Sequence, residues 1–177
     1  MKWHYGVAGV SLVIGLLYGA ISLELLVIRP PADVFIDPVV ATNKSTKKVI
    51  VHYWQNGSWH TETDTILWQE DKSAQLTALI NSWLAVLAEE RVIDKKINLQ
   101  TVIGASSGNE FFVSFDCYPF FKDSSTYEKY QWIEGLLKTI RANGVAVQSI
   151  RFLVQHQELV DAHLDFSRSW PVAGFLQ

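Results

Sequence analysis

The sequence is poor in cysteine, in charge and in basic excess. Cys117 is the one cysteine among 177 residues, so no disulfide can form within the chain, and no cysteine near the N-terminus is available to carry a lipid. A domain of this size can be held by its apolar core without a covalent brace. Cys117 closes an apolar run, a position that suits a buried structural thiol better than a reactive one. Charged residues are only 19% of the chain, and 15 Lys and Arg against 18 Asp and Glu leave a net charge of −3. Without a basic footprint to neutralise phosphates, a nucleic-acid partner is not expected. A hydrophobic content of 49% excludes a disordered chain, which lacks the apolar surface to fold.

Catalytic signatures are also missing. There is no G-x-S-x-G elbow, no G-x-x-x-x-G-K phosphate loop and no G-x-G-x-x-G. Gly104-Ala105-Ser106-Ser107-Gly108 lacks the lysine and the following helix that a phosphate loop needs, and reads as a hairpin turn. His156 and His163, with Asp161 and Asp165, are ligand types suited to a transition metal. No helix or strand period brings the two histidines together, so no metal site and no cofactor are expected. His52 and His60 read as sheet-surface histidines on a hairpin. Glu70-Asp71 and Glu89-Glu90 fall at helix ends, where solvation and the helix dipole explain them. The chain is not expected to be an enzyme.

The apolar residues are concentrated at one end. Tyr5 to Ile28 contains Glu24 as its only charge, and a helix of that length spans roughly 36 Å, enough for a hydrocarbon core of about 30 Å. Arg29-Pro30-Pro31 closes it. The reading is a short cytoplasmic start over 1–4, a transmembrane signal anchor over 5–28 and a Pro-rich, then polar, linker over 29–47. The alternative is a cleaved signal peptide, with Ala20-Ile21-Ser22 as the small-residue site.

Residues 48–170 read as an α/β domain, with 171–177 as a tail. Lys48–Trp54 and Trp59–Trp68 form strands around Asn56-Gly57, the dipeptide of a tight hairpin turn. Leu76, Leu79, Ile80, Trp83, Leu84 and Leu87 make one apolar face on a helix over 71–90, with Asp71 or Ser73 as its cap. Ile97–Ile103 and Glu110–Cys117 form a second hairpin. Ser125 and Glu128 form a capping box before a helix striped by Tyr130, Ile133, Leu137 and Ile140, and Asn143-Gly144 stops it. Val147–Val154 is the last strand. The order β-β-α-β-β-α-β predicts a two-layer α+β sandwich, with both helices on one face of a single mixed or antiparallel sheet. Of seven tryptophans, Trp54, Trp59 and Trp68 fall on or beside the first hairpin, which makes it a candidate contact surface.

Taken together, these pieces resemble the GerM domain family of bacterial sporulation and spore germination. The resemblance is carried by Val49-Ile50-Val51-His52-Tyr53-Trp54, Leu76-Thr77-Ala78-Leu79-Ile80, Phe111-Phe112-Val113-Ser114-Phe115-Asp116 and Leu136-Leu137-Lys138-Thr139-Ile140. Ile150-Arg151-Phe152-Leu153-Val154 and the closing His163-Leu164-Asp165-Phe166-Ser167-Arg168 complete it, so that it runs from about Lys48 to Trp170. Three features depart from the family. A helix replaces the lipid-bearing cysteine, Gln155-His156-Gln157 stands where a glycine often follows the last strand, and Asp94-Lys95-Lys96 replaces a proline-rich stretch. The resemblance implies a divergent single-domain member without catalysis, a module of envelope assembly that binds an envelope protein or itself. Together with the apolar run over 5–28, it places the protein in the bacterial cytoplasmic membrane, single-pass, with the C-terminal domain outside the cytoplasm, or secreted or periplasmic if the signal is cleaved. A binding module for cell-wall glycan or a small ligand is the alternative function, and a metal-assisted envelope enzyme a third. N-terminal sequencing of the membrane fraction separates the two readings of the first segment: an anchor is expected to retain Met1, whereas a start just past Ser22 means cleavage.

Overall fold

A computed structural model describes residues 45–120 and 124–174. The expected anchor over 5–28, and most of the linker over 29–47, lie outside them. Among the described residues no helix is long and apolar enough to cross a membrane. All described elements belong to one unit of the chain, Thr42–Gln177.

Strands β1 (Ser45–Gln55) and β2 (Ser58–Trp68) pair antiparallel over their full length. Asn56 and Gly57 join them at φ +50 and +80, the two left-handed residues that a tight twisted hairpin requires. Val49, Val51 and Tyr53 alternate inward from β1 and are buried. Helix α1 (Lys72–Glu89) starts where the Asp71 carboxylate accepts the Ala74 amide at 2.8 Å, and it buries Leu76, Leu79, Ile80, Trp83, Leu84 and Leu87. Strands β3 (Leu99–Gly104) and β4 (Glu110–Phe115) form the second hairpin. Just past β4 the Asp116 carboxylate accepts the Asn98 amide at 2.9 Å. Helix α2 (Thr126–Ala142) carries the full Ser125/Glu128 capping box. Strand β5 (Ser149–Val154) then lies parallel to β4, bringing Phe111, Val113 and Phe115 beside Ile150, Phe152 and Val154. Two short strands follow, β6 (Gln157–Glu158) and β7 (Trp170–Pro171), each antiparallel to β5.

The element order is therefore the expected one with two short strands added, and the class is α+β with two helices. The single sheet is corrected to two: β1 and β2 form their own ribbon, and β3 to β7 form a five-stranded mixed sheet. The physical reason lies at the outer edge of β1, where a neighbouring strand would have to dock. Asn143 of the α2 C-cap accepts the Ile50 amide at 3.0 Å and donates to the Ile50 carbonyl at 2.7 Å. The Thr139 hydroxyl accepts the His52 amide at 2.9 Å, and the Trp83 indole of α1 donates to the His52 carbonyl at 3.0 Å. Side chains from two helices do the work of a missing strand. Gly135, one turn before Thr139, permits the approach, since a Cβ there would lie 3.2 Å from the His52 oxygen. A mid-helix glycine costs about 1 kcal/mol relative to alanine, and close contact with β1 accounts for it.

Rings join the two helices to the larger sheet. Trp132 of α2 meets Trp83 of α1 edge-on with centroids 4.7 Å apart, and reaches Phe115 and Phe152 of the larger sheet at 5.7 and 6.5 Å. Phe166 and Trp170, from the closing segment, also pack onto Phe152, at 6.2 and 6.5 Å. Val172 is buried as well, so ordered structure continues beyond Trp170. Removing the edge seal is expected to be costly: Asn143→Ala takes the partner from two backbone groups of Ile50 in part-buried hydrogen bonds and should lower unfolding free energy by roughly 1–3 kcal/mol in urea titration.

Candidate functional site

The first hairpin separates its three tryptophans. Trp54 and Trp59 are register partners on the outer face, their rings edge-to-face at 5.4 Å. Tyr127 at the start of α2 adds a third ring 6.1 Å from Trp54, and the Lys138 ammonium lies 4.4 Å over Trp59. Trp68 has the opposite parity and sits at the far end of the ribbon on the inner face, under the Lys47 ammonium at 3.7 Å. All three are half-buried. Trp54 and Trp59 thus share one surface, and Trp68 belongs to another. The period of two along a strand determines this, because an odd spacing from Trp59 to Trp68 turns the side chain over.

The tip of this hairpin closes one wall of a cleft of about 460 Å³. Tyr53, Trp54 and the Asn56-Gly57 turn line one side, Trp83 and Leu87 of α1 with Arg91 a second, and Gln131 and Trp132 of α2 a third. The size falls within the range of small-molecule sites, roughly 300–1,000 Å³. Its walls are tied together: Gln55 donates through its side-chain amide to the Glu90 carbonyl at 2.7 Å, pinning the hairpin to the end of α1. Two acidic or basic groups on the walls are already engaged. Glu128 accepts from the Ser125 amide at 2.8 Å in the capping box, and Lys129 donates to Asp161 at 2.6 Å. The Arg91 side chain is exposed and makes no hydrogen bond or ion pair among the described residues. The Trp132 indole nitrogen is buried without a hydrogen-bond partner.

Arg91 also has an uncommon backbone. Both helices end in the same hydrogen-bond pattern: Arg91 and Val92 amides bond to Ala88 and Leu87 at α1, and Gly144 and Val145 amides bond to Arg141 and Ile140 at α2. The pattern needs a left-handed residue, which glycine supplies at 144 with φ +68. At α1 the same place is held by Arg91 at φ +55, a conformation that costs a non-glycine residue about 1 kcal/mol.

The histidines and acids of the C-terminal segment do not assemble. Among the described residues no group of three or more His, Cys, Asp or Glu could hold a metal. His156 sits at φ +65 in the tight turn between β5 and β6, following Gln155 at φ +51. Asp165 instead accepts from the Ser167 amide at 3.0 Å and pairs with Arg168 at 3.4 Å. His52 and His60 fall on opposite faces of the ribbon; His60 stacks on Tyr53 at 5.4 Å while His52 lies 3.2 Å from the Thr61 hydroxyl. Burial, and secondarily the hydrogen bond to Asp116, push the Cys117 thiol up.

Asp161 serves as a structural anchor. Its side chain and that of Lys129 are 2% and 7% exposed, and the pair joins α2 to the closing segment. The Tyr118 hydroxyl donates to the same carboxylate, and the His163 and Leu164 amides donate at 2.9 and 3.1 Å. Burial alone would raise the carboxyl. The Lys129 ammonium, Tyr118 and the two amides outweigh it and hold Asp161 well below the usual carboxylate range, while burial and Asp161 push Tyr118 well above an ordinary phenol. This network escaped the sequence reading because its members lie 43 and 32 residues apart in the chain.

No family model and no curated protein matches the chain. Among solved structures it is similar to a Clostridium perfringens protein provisionally described as a lipoprotein, with a TM-score of 0.48 and 13% identity over 72% of this chain and 87% of that one.

The Asp161 network has a defined pH signature. A carboxyl depressed in the folded state stabilises above its unfolded pKa of about 3.9, and that stabilisation is lost as pH falls through the folded value. Asp161→Asn leaves Lys129 buried without a counter-charge, so it should cost roughly 3–5 kcal/mol at pH 7, with the gap to wild type narrowing only below about pH 4. Urea unfolding at pH 7 and pH 3 reads both numbers.

Proposed function

We propose that this chain is a non-catalytic binding domain of the bacterial cell envelope, tethered by its N-terminal helix with the folded part outside the cytoplasm, and GerM-like in kind. Its partner is another protein, taken as an added strand along the outer edge of β2. The apolar run Tyr5–Ile28 and the resemblance of residues 48–170 support the setting. The observation that carries the binding role is the asymmetry of the β1–β2 ribbon.

On β1, the outward amides and carbonyls of Ile50 and His52 are all satisfied by α1 and α2. On β2 the register turns the backbone groups of Trp59, Thr61 and Thr63 away from β1, and no strand among the described residues pairs with them. Beyond them the Thr65 amide is taken by Asp64 at 2.7 Å, so the open stretch ends at Thr63. Unpaired edges are templates for strand addition, and this one is short, polar and bounded. Glu62, in its middle, is exposed and makes no ion pair among the described residues, whereas Asp64 is engaged by the Ser82 hydroxyl at 2.6 Å. The edge therefore suits an extended partner segment with a Lys or Arg beside Glu62.

A photo-crosslinking residue at Thr61, in the full chain in native membranes, tests this. A discrete adduct is expected, and Thr63→Pro should abolish it while leaving the melting temperature nearly unchanged, because the lost amide faces away from β1. Glu62→Lys should weaken it several-fold. An adduct indifferent to both changes, or one of twice the chain mass, overturns the reading.

A further inference from the structure

The cleft at the hairpin tip is a second feature, independent of the β2 edge. Its free chemistry can be read by elimination. Glu128 is committed to the α2 cap and Lys129 to Asp161, which leaves Arg91 as the unengaged charge on the walls. Aromatic faces come from Tyr53, Trp54 and Trp132, and the Gln131 side chain adds a planar amide. The buried Trp132 indole nitrogen is a donor still lacking an acceptor.

Arg91 stands where the backbone favours glycine. The matching position after α2 is Gly144, with the same two closing hydrogen bonds, so the geometry of the helix end does not call for a side chain. A cation near a helix C-terminus is favourable to the dipole, but Lys or Arg within the last turn would supply that without a left-handed residue. Strain retained at a residue that lines a cleft points to a role for its side chain.

We propose that this cleft binds an acidic saccharide of one or two rings, its carboxylate paired with Arg91 and its ring face laid on Trp54. A guanidinium pairs with a carboxylate through two parallel hydrogen bonds. The flat apolar face of a sugar matches an aromatic ring, and its hydroxyls match the side-chain amides of Asn56 and Gln131. A purely apolar ligand would leave these amides unpaired, and a neutral sugar would leave Arg91 unused.

Isothermal titration of the full chain in detergent, with cellobiouronic acid and with cellobiose, tests the assignment. The acidic disaccharide is expected to bind at least about tenfold more tightly. Arg91→Gly should erase that ratio while melting no lower than wild type, since glycine relieves the left-handed strain; Arg91→Gln should erase it as well. Trp54→Ala should weaken both ligands. Equal affinities, no saturable heat with either sugar, an unchanged ratio in Arg91→Gly, or tighter binding of benzoate than of the acidic disaccharide would each overturn the proposal.

Discussion

The outer edge of β1 is a row of backbone amides and carbonyls with no strand beside it, and α2 supplies their partners. Buried backbone groups left unpaired cost as much as a lost hydrogen bond each, so the edge had to be closed by something. Asn143 and Thr139, one turn apart, satisfy Ile50 and the His52 amide, Trp83 completes the His52 carbonyl, and Gly135 gives the strand room. Lys47 adds a bond to the Asn143 carbonyl at 2.8 Å, extending the seal past the end of the helix. Everything else about the ribbon follows from this contact. It keeps β1 and β2 out of the larger sheet, turns the β2 edge outward, and presents the hairpin tip to the end of α1, where the cleft forms.

The larger sheet is joined to the helices by rings and by one buried ion pair. Trp132 touches Trp83, Phe115 and Phe152, so a single side chain spans from α1 to two strands. The ion pair of Lys129 and Asp161 sits on the same helix as Trp132 and fixes the segment that carries Phe166 and Trp170. Buried pairs of this sort contribute little net stability compared with a well-packed apolar substitute, but they are severe about partners. Here the closing segment is held in one register by four donors to one carboxylate, the ammonium, the phenol and two amides.

Much of the fold was legible because its signals are local. The Asn56-Gly57 turn, the Ser125/Glu128 box, the α1 face from Leu76 to Leu87 and the alternation of Phe111, Val113 and Phe115 each depend on residues a few positions apart. What escaped was non-local. A single sheet was expected because each helix has one apolar stripe and both would most simply cover one sheet face, and nothing in the local pattern of Thr139 and Asn143 distinguishes a sealing role from an ordinary helix surface. One trace was present: Gly135, Thr139 and Asn143 recur every four residues, a stripe of small and polar side chains on a helix otherwise read by its apolar face. The parity of Trp68 was likewise available from the spacing, and it removes that residue from the surface shared by Trp54 and Trp59.

The sequence by itself determined the five long strands and two helices, their order, the α2 capping box and the faces that would be buried, since propensity, capping and periodicity act over one or two turns. Tertiary structure alone decided which edge of the hairpin is closed and which is open, and that Arg91 borders a cleft as its unengaged charge. It also decided that Asp161 anchors the closing segment, a role set by Lys129 and Tyr118. These outcomes rest on hydrogen bonds and ion pairs between residues far apart in the chain, whose partners are chosen only when packing removes water from both.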